Sequence, residues 1–319
     1  MLRHGMPNRG PAMTRVGRMA VVATVPTLRA PVLTDAPQRA LRARATLLVL
    51  GGPQAGQLVA IERGGVVIGR AADAGLVVLD PSVSAYHARV APTSGGGYCA
   101  EDLGSTNGTF VDGRRVAVSS LHTNNRLRLG PHFGLRFAIT DAAEESLHRR
   151  LYDFSTRDPL THVFNRRYLD ARLVAEVAGA LSTNAHAAVL MADVDGLKQI
   201  NDRFGHMAGD RALCMVAARV LKAVRAEDWV ARYGGDEFVI VAPGAHLGEA
   251  AQLADRVRRS VEGLQLGAGG ESVRVTLSIG AASLSEFAPT EVPTAALLEL
   301  ADRRMYRAKT SGRNCVFVS

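Results

Sequence analysis

Residues 229–241 read Trp-Val-Ala-Arg-Tyr-Gly-Gly-Asp-Glu-Phe-Val-Ile-Val, two strand-like runs joined by a Gly-Gly pair. This pattern predicts a β-hairpin, because paired glycines adopt tight-turn conformations without steric cost. Two acidic residues, Asp236 and Glu237, follow the glycines directly. The hairpin is therefore expected to hold carboxylates at its tip.

A second acidic pair lies upstream. The apolar run 187–194 predicts a strand buried on both faces, and it ends at Asp193. Asp195 lies two residues further on, which would place it on the same face, but we expect it to lie past the strand end in solvent. Carboxylates gathered at one sheet edge repel one another unless a cation joins them, and oxygen ligands suit Mg²⁺.

Helical and strand patterns alternate through the surrounding segment. Helices are predicted near 207–226, 250–264 and 294–309. Residues 272–279 alternate strictly between apolar and polar, which predicts one half-buried strand, and a last short strand is expected at 315–318. The order predicts an α+β domain over 158–319, with helices covering a central sheet.

Several ordered motifs in this domain resemble the GGDEF family of diguanylate cyclases, and the resemblance covers essentially all of 158–319. The motifs are Asp158-Pro-Leu-Thr161, Asn165-Arg166-Arg167, Asp193–Asp202, Gly205-His206, Gly209-Asp210, Arg232–Phe238, Ser278-Ile279-Gly280, Ala301-Asp302 to Tyr306, Ala308-Lys309 and Gly312-Arg313-Asn314. The resemblance implies a nucleotide-cyclase-like fold. It also implies an enzyme that joins two GTP molecules into cyclic di-GMP with release of two pyrophosphates, requires Mg²⁺ or Mn²⁺, and works as a homodimer because each domain holds one GTP.

The same resemblance assigns roles at the acidic edge. Asp193 and Asp236 would bind the metal together with the backbone carbonyl of Val194. Glu237 would either assist the metal or activate the attacking 3′-hydroxyl, and the sequence leaves both roles open. Asp193, Asp236 and Glu237 are thus the expected catalytic residues.

Seven further residues would bind GTP by the same resemblance. Two would recognise the guanine edge, two would let the chain approach the nucleotide without a Cβ clash, and three would hold phosphates. In that order they are Asn201 and Asp210, Gly234 and Gly235, and Lys198, Lys309 and Arg313. For the three cationic side chains, a solvated helix face is the alternative.

Arg225-Ala-Glu-Asp228 resembles the inhibitory RxxD motif of the family, at which cyclic di-GMP binds. In that role Arg225 would face guanine and phosphate, and Asp228 would accept hydrogen bonds from guanine. A routine surface ion pair is the alternative interpretation. Arg256 or Arg258 could supply a second arginine to this site.

The segment 46–140 has a different character. Short apolar runs separated by Gly, Pro, Asn and Asp predict a β-sandwich. Its polar clusters Gly69-Arg70, Ser84-Ala-Tyr-His87 and Gly104-Ser-Thr-Asn-Gly108 could be ordinary turns. In this order, however, they resemble the forkhead-associated (FHA) domain, which binds phosphothreonine peptides.

The FHA resemblance implies that Arg70, Ser84 and Thr106 hold the phosphate and that Asn107 holds the peptide backbone. An arginine suits this task because its planar fork of donors matches phosphate oxygens. His87 would fix the Ser84 loop without touching the ligand. Ala85 stands where the family often has arginine, so weaker binding is expected.

The connector 141–157 is predicted to be an amphipathic helix, with apolar residues at 147, 151 and 154. Such a helix could dock on either neighbouring domain or pair with its copy in a dimer. The sequence does not decide between these.

The net charge of +8 points first to nucleic acid or an anionic membrane. Residues 1–45, however, hold eight arginines against one acid, so +7 of the charge lies in a Pro-rich tail that we predict to be disordered. The remaining residues are nearly neutral, so the folded domains are not expected to bind nucleic acid. The three cysteines are too few and too scattered to predict a disulfide framework. No apolar run is long enough to predict a transmembrane helix. The expected location is the bacterial cytoplasm.

Three hypotheses of function follow. The first is an active diguanylate cyclase, regulated by phosphothreonine recognition and by product inhibition. The second is a catalytically weak phosphopeptide adaptor that senses cyclic di-GMP. The third uses the arginines of the tail, in residues 1–45, for recruitment to DNA or a membrane.

Overall fold

The computed structural model describes residues 43–268, 271–288 and 294–319. Nearly all of the predicted tail lies outside the described residues. The described chain forms an all-β domain, a connecting helix and an α+β domain, in that order. This is the predicted two-domain organisation.

Eleven strands build the first domain: β1 (Arg44–Val49), β2 (Leu58–Ala60), β3 (Val66–Gly69), β4 (Leu76–Val77), β5 (Ala88–Pro92), β6 (Tyr98–Asp102), β7 (Thr109–Val111), β8 (Arg114–Val116), β9 (Val118–Leu121), β10 (Arg126–Leu129) and β11 (Phe133–Thr140). One sheet has the order β2-β1-β11-β10-β7-β8, and the other has the order β4-β3-β5-β6-β9. Together they form the predicted β-sandwich.

Alternation along the strands creates the sandwich core. Strand β11 buries Phe133, Leu135 and Phe137 and turns Gly134 and Arg136 to the other face. The sandwich begins earlier than the predicted boundary at residue 46. Strand β1 starts at Arg44, and Ala45 is buried in the core, so these two residues belong to the sandwich and not to the tail.

The connector forms helix α1 (Ala142–Thr156), as predicted. The side chain of Asp141 caps its N-terminus by accepting from the backbone N–H groups of Ala143 and Glu144. The three apolar residues of the predicted stripe are nonetheless exposed, by 49%, 57% and 85% of their surface for Leu147, Leu151 and Phe154. The stripe is therefore docked on neither domain in the described structure.

The second domain contains helices α2 (Arg166–Ser182), α3 (Leu197–Phe204), α4 (His206–Ala223), α5 (Leu247–Glu262) and α6 (Thr294–Thr310). Its strands are β12 (Phe164–Asn165), β13 (Ala187–Val194), β14 (Trp229–Gly234), β15 (Glu237–Pro243), β16 (Leu264–Ala268), β17 (Glu271–Val275), β18 (Leu277–Ser283) and β19 (Val316–Phe317). The central sheet has the order β12-β14-β15-β13-β18-β19, while β16 and β17 pair in a separate ribbon.

Helices cover both faces of the central sheet. Alternate residues of β13 pack with α3, α4 and α5 on one face and with α2 and α6 on the other. Every residue of β13 is buried, which confirms the prediction of a strand buried on both faces. The predicted glycine hairpin is also present, since β14 and β15 pair antiparallel around Gly235 and Asp236.

The prediction of one half-buried strand at 272–279 is wrong. The strand is interrupted at Thr276, which lies between the end of ribbon strand β17 and the start of sheet strand β18. All residues of β18 are buried, because α5 and α6 pack against its two faces. Ser278, one of the polar positions in the alternating pattern, is therefore buried between helices, whereas Ser272 and Arg274 on the ribbon are exposed.

Candidate active site and binding sites

The acidic edge of the second domain forms where β13 ends beside the β14–β15 hairpin. The register of the antiparallel pair places Asp193 directly opposite Glu237. One residue further on, the backbone N–H of Val194 donates to the carbonyl of Asp236 at 3.1 Å. The sheet thus brings together the three carboxylates and the backbone position that the sequence predicted.

Lys309 lies against this cluster. Its ammonium nitrogen is 2.6 Å from Oδ2 of Asp193, which is buried, whereas Lys309 itself is partly exposed. Burial raises the pKa of Asp193 to about 6, an effect that Lys309 partly offsets and that Asp236 and Glu237 reinforce. Burial also raises the pKa of Glu237. The lysine holds the ionised form of a carboxylate that burial would otherwise protonate.

The donor set fits a divalent cation. Three carboxylates face one ammonium, so the cluster has an excess of negative charge when all are ionised, and hard oxygen ligands are those that Mg²⁺ prefers. Across the described residues, no three His, Cys, Asp or Glu side chains are already gathered tightly enough to hold a metal.

The expectation that Asp195 is solvated is wrong. Asp195 is buried and accepts from the hydroxyls of Thr276 (2.7 Å) and Ser278 (2.6 Å) and from the backbone N–H of Asn314 (3.1 Å). It ties the end of β13 to the loop that carries Arg313. Two of these partners lie in sequence motifs, but nothing in their spacing indicated a shared contact.

Arg232 stabilises the hairpin through contacts that its sequence motif did not indicate. Arg232 pairs with Asp158 at 3.2 Å and donates from its other nitrogens to the carbonyl of Gly235 at 2.7 and 3.1 Å. Both side chains are largely buried. The guanidinium thus joins the segment before α2 to the turn that carries Asp236.

The predicted guanine-binding residues lie on α3 and α4. Oδ1 of Asn201 is buried without a hydrogen-bond partner, and a Cβ on Gly209 would be 1.9 Å from it, so any larger residue at 209 would displace the Asn201 side chain. Asp210 is the next residue and is exposed. Lys198 and Arg313 are also exposed, and neither forms an ion pair within the described chain.

The predicted inhibitory motif lies in the loop after α4. The carboxylate of Asp228 is buried and accepts from the backbone N–H of Arg225 at 2.8 Å, so the pair is not a surface ion pair. Burial raises the pKa of Asp228. Arg225 lines a cavity of about 450 Å³.

That cavity is strongly basic. Its cationic lining residues are Arg219, Lys222, Arg225 and Arg256, the first two of which were not predicted. Arg256 is held there because its Nε donates to the carbonyl of Ala223 at 2.6 Å. Arg258 pairs instead with Asp255 and Glu262, so of the two arginines named above it is Arg256 that lines this cavity.

In the sandwich, two loops bring the predicted phosphothreonine-binding residues together. The Ser84 hydroxyl accepts from the backbone N–H of Thr106 at 3.1 Å, and Asn107 donates to the carbonyl of Ser82. Arg70 is fixed by its Nε, which donates to the carbonyl of Val83, leaving its terminal nitrogens available. A Cβ on Gly69 would be 2.0 Å from the carbonyl oxygen of Ala85, so this approach requires glycine.

His87 has the structural role that we predicted. It is fully buried, and its Nδ1 accepts from the backbone N–H of Ser84 at 3.0 Å. Its Nε2 lies 3.2 Å from the carbonyl of Gly108, which requires Nε2 to carry the proton. The His87 imidazole thus joins the Ser84 loop to the Gly108 loop from the buried side.

Comparison with known proteins agrees with this geometry. The family model described as diguanylate cyclase, GGDEF domain matches residues 155–315. The chain belongs to the GGDEF family. A second model, that of the FHA domain, matches residues 66–130, so the N-terminal sandwich is an FHA domain.

Two curated relatives share the GGDEF domain. Diguanylate cyclase DosC from Escherichia coli is 39% identical over 199 residues, which cover 60% of this chain and 42% of DosC. The response regulator PleD from Caulobacter vibrioides is 38% identical over 183 residues, which cover 57% of this chain and 39% of PleD. This chain therefore spans less than half the length of either relative.

Two solved structures support the GGDEF fold. The diguanylate cyclase SiaD from Pseudomonas aeruginosa, in complex with its activator SiaC, aligns at 34% identity and a TM-score of 0.50 over 56% of this chain and 66% of SiaD. The coiled coil and GGDEF domain of DgcB from Caulobacter crescentus, in complex with cyclic di-GMP, aligns at 28% identity and a TM-score of 0.51. The alignment covers 56% of this chain and 92% of the DgcB chain. Among the residues described for the present chain, no helix is long and apolar enough to cross a membrane.

Proposed function

We propose that the chain is a diguanylate cyclase that condenses two GTP molecules into cyclic di-GMP. The observation that carries this proposal is the juxtaposition of Asp193, Asp236 and Glu237 with Lys309 at one sheet edge. Its family membership and the activity named for DosC point the same way. Mg²⁺ or Mn²⁺ is the cofactor that this donor set favours.

The reaction is two equivalent phosphoryl transfers. In each, the 3′-oxygen of one GTP bonds to the α-phosphorus of the other as the bond to the bridging oxygen of the β-phosphate breaks and pyrophosphate leaves. A bound divalent cation would neutralise charge on the phosphates. Asp193, Asp236 and the Val194 carbonyl would hold it, while Lys309 and Arg313, with Lys198, bind phosphate oxygens.

Glu237 has two roles open to it: it joins the metal ligands or accepts the proton of the attacking 3′-hydroxyl. Its raised pKa suits proton acceptance. Glu237→Gln separates the roles, since loss of turnover with unchanged Mg²⁺-dependent binding of a non-hydrolysable GTP analogue identifies the proton acceptor. Weakened metal-dependent binding identifies a ligand.

Each GGDEF domain holds one GTP in this proposal, so the active species is a homodimer with two acidic edges face to face. Asn201 and Asp210 bind the guanine edge, and the buried, unpartnered Oδ1 of Asn201 is the atom aimed for this purpose. Gly234 and Gly235 keep the hairpin turn free of side chains beside the nucleotide.

Two regulatory inputs accompany this activity. The basic cavity beside Arg225 and Arg256 would take cyclic di-GMP, an anion of matching charge, and slow the enzyme. The FHA domain would bind a phosphothreonine protein through Arg70, Ser84, Thr106 and Asn107 and change the output of the GGDEF domain.

The deciding experiment is GTP turnover by the purified chain with Mg²⁺, measured over a range of protein concentrations. We expect cyclic di-GMP and pyrophosphate, with a rate per protomer that rises with concentration as dimers form. Asp236→Ala should abolish the product while leaving the circular dichroism spectrum unchanged. Tight cyclic di-GMP binding without turnover in a dimeric sample would instead support a sensory adaptor.

A further inference from the structure

Four arginines share the outer face of the six-stranded sheet of the FHA domain. Arg115 on β8 and Arg128 on β10 are both paired in register with Phe110 on β7, which lies between them. Arg126 on β10 is directly opposite Arg136 on β11. The core-facing residues alternate with these positions along each strand, so all four side chains project from the same face. We call this group the arginine face.

No carboxylate neutralises the arginine face. Among the described residues, none of the four guanidinium groups has an acidic side chain within ion-pair distance. Asp112, in the turn after β7, is occupied by the backbone N–H of Arg126 and the side chain of Asn125. Nε of Arg136 is buried without a hydrogen-bond partner.

This arrangement is costly for a chain that uses the face only as a solvated surface. Like charges on directly opposed residues of neighbouring strands destabilise a sheet, and Arg126 and Arg136 are such a pair. The guanidinium of Arg128 is 3.8 Å from the centre of the Phe110 ring, and this cation–π contact holds the Arg128 side chain against the sheet. The guanidinium of Arg128 is therefore held in place, and none of the four arginines has an acidic partner among the described residues.

The arginine face is continuous with the loops that hold the predicted phosphothreonine-binding residues. A Cβ on Gly108 would lie 2.6 Å from Nε of Arg115, so that arginine covers the residue next to Asn107. Arg128 donates to the carbonyl of Gly130, whose own N–H donates to the carbonyl of Gly108. Of the four arginines, Arg115 and Arg128 are therefore the two nearest to a ligand bound at Asn107.

We infer that the arginine face binds acidic residues that flank the phosphothreonine in the same partner segment. The inference rests on the phosphothreonine-binding role proposed above. The spacing fits an extended peptide, because consecutive residues advance about 3.3 Å and the second pair of arginines lies two strand residues, roughly 7 Å, beyond the first. A segment with two or three Asp or Glu residues beside its phosphothreonine would satisfy the charges.

Nucleic acid is the other polyanion that arginines bind. The continuity with a loop pair suited to one phosphate, and the small extent of the face, favour a short acidic peptide over a duplex with its long run of phosphates. The two ligands are separated by experiment.

The experiment measures binding of two phosphothreonine peptides to the full chain by fluorescence anisotropy. The peptides are identical except that the flanking residues are Glu and Asp in one and Gln and Asn in the other. We expect the acidic peptide to bind about fivefold more tightly at low salt, from two or three exposed ion pairs. In Arg115→Gln/Arg126→Gln the ratio should fall to about one, with little change for the neutral peptide. The matched control Arg63→Gln/Arg89→Gln removes equal charge near the other sheet and should keep the ratio.

Several outcomes overturn the inference. A ratio near one in the unmodified chain, or a ratio that survives Arg115→Gln/Arg126→Gln, does so. So does a random-sequence DNA duplex whose binding depends on these arginines while the peptide ratio does not. Unphosphorylated peptides distinguish the two proposals: if phosphorylation has no effect but the arginine pair still governs acidic-peptide binding, the arginine face stands and the phosphothreonine role fails.

Discussion

Asp193 illustrates how one buried carboxylate links stability to activity. Burial disfavours its charge, and the nearby Asp236 and Glu237 add repulsion, so its pKa is raised to about 6 despite the contact with Lys309. A raised carboxyl pKa means that ionisation costs stability as the pH rises from 3.8 through about 6. The metal binding proposed above would require Asp193 in its ionised form.

The raised pKa predicts a pH-dependent metal requirement. The Mg²⁺ concentration for half-maximal turnover should rise, by up to about tenfold per pH unit, as the pH falls below about 6 and Asp193 becomes protonated. Turnover assays at fixed GTP, with parallel titration of GTP alone to correct for its own proton binding, provide the measurement. A metal requirement that stays constant across this range contradicts the prediction.

Asp195 links the end of β13 to two neighbouring segments through hydrogen bonds. Its carboxylate accepts from Thr276, Ser278 and Asn314, the last of which follows Arg313 in a loop where both residues have positive φ. Because an amide cannot accept all three bonds, Asp195→Asn should lower the free energy of unfolding by about 1–3 kcal/mol. It should also raise KM for GTP more than it lowers kcat, because the Arg313 loop loosens.

Thermal unfolding and steady-state kinetics of Asp195→Asn test this. Glu299→Gln, which removes an exposed carboxylate from α6, is the control and should leave both quantities unchanged. An unchanged KM in a destabilised Asp195→Asn protein would show that Asp195 acts on the fold alone.

The residue scale also shows what the sequence could and could not predict. Motif order was sufficient to place Asp193, Asp236 and Glu237 on one edge, since strand ends and hairpin tips follow from local patterns. The environment of Asp195 was not predictable, because its partners lie 81, 83 and 119 residues away. Only the fold brings such distant hydroxyl and N–H groups to one carboxylate.

At the scale of elements, helix α1 has two different faces. Tyr152 packs inward: a Cβ on Gly56 would be 3.6 Å from its ring, and burial together with Tyr168 raises the pKa of its hydroxyl above the usual range. The stripe of Leu147, Leu151 and Phe154 instead points to solvent. An exposed stripe at i, i+4 and i+7 is the pattern by which helices pair.

We therefore predict that α1 pairs with its copy. Leu151→Ser/Phe154→Ser should weaken self-association about tenfold or more, because two large apolar side chains per protomer would leave the interface. Turnover should fall at low protein concentration and recover at high concentration. Analytical ultracentrifugation gives the association constant, and Leu181→Ser, which changes an exposed leucine on α2, is the matched control. Unchanged association of the double variant would contradict pairing through α1.

The element that periodicity misassigned has a physical explanation. Residues 272–279 alternate as one half-buried strand should, but the structure divides them at Thr276 between the ribbon strand β17 and the sheet strand β18. Ser278, a polar position in the pattern, is buried because Asp195 accepts from its hydroxyl. An alternating sequence pattern reports which side chains are polar, not which are exposed. A hydroxyl such as that of Ser278 can be polar and still be buried when it has a hydrogen-bond partner.

At the scale of the whole molecule, the position of charge matters more than its sum. Residues 1–43, which precede the sandwich, hold seven arginines against one acid and so carry +6 of the net +8, yet the described domains also contain two groups of cationic side chains. One is the cavity beside Arg225 and Arg256, and the other is the arginine face. In the functions proposed above, the cavity would take a nucleotide and the arginine face would take a peptide.

The two domains are joined through Tyr152, which gives a route for phosphopeptide control. Its ring lies against Gly56 of the FHA domain, while Tyr168 and Arg172 of α2 lie close enough to influence its hydroxyl. Helix α2 begins directly after β12, which pairs with the hairpin strand β14. In the regulation proposed above, a shift of the FHA domain would reach the hairpin that carries Asp236 through this short series of packed elements.

This path predicts a variant that separates binding from response. Tyr152→Ala should bind the phosphothreonine peptide with unchanged affinity and keep basal turnover within about twofold, because it touches neither site. The change in turnover that peptide binding causes in the unmodified chain should be lost. Arg150→Ala, an exposed position on the same helix, should retain that change. Anisotropy and pyrophosphate release on the same samples measure the two properties, and a Tyr152→Ala protein that still responds to peptide would show that the domains communicate by another route.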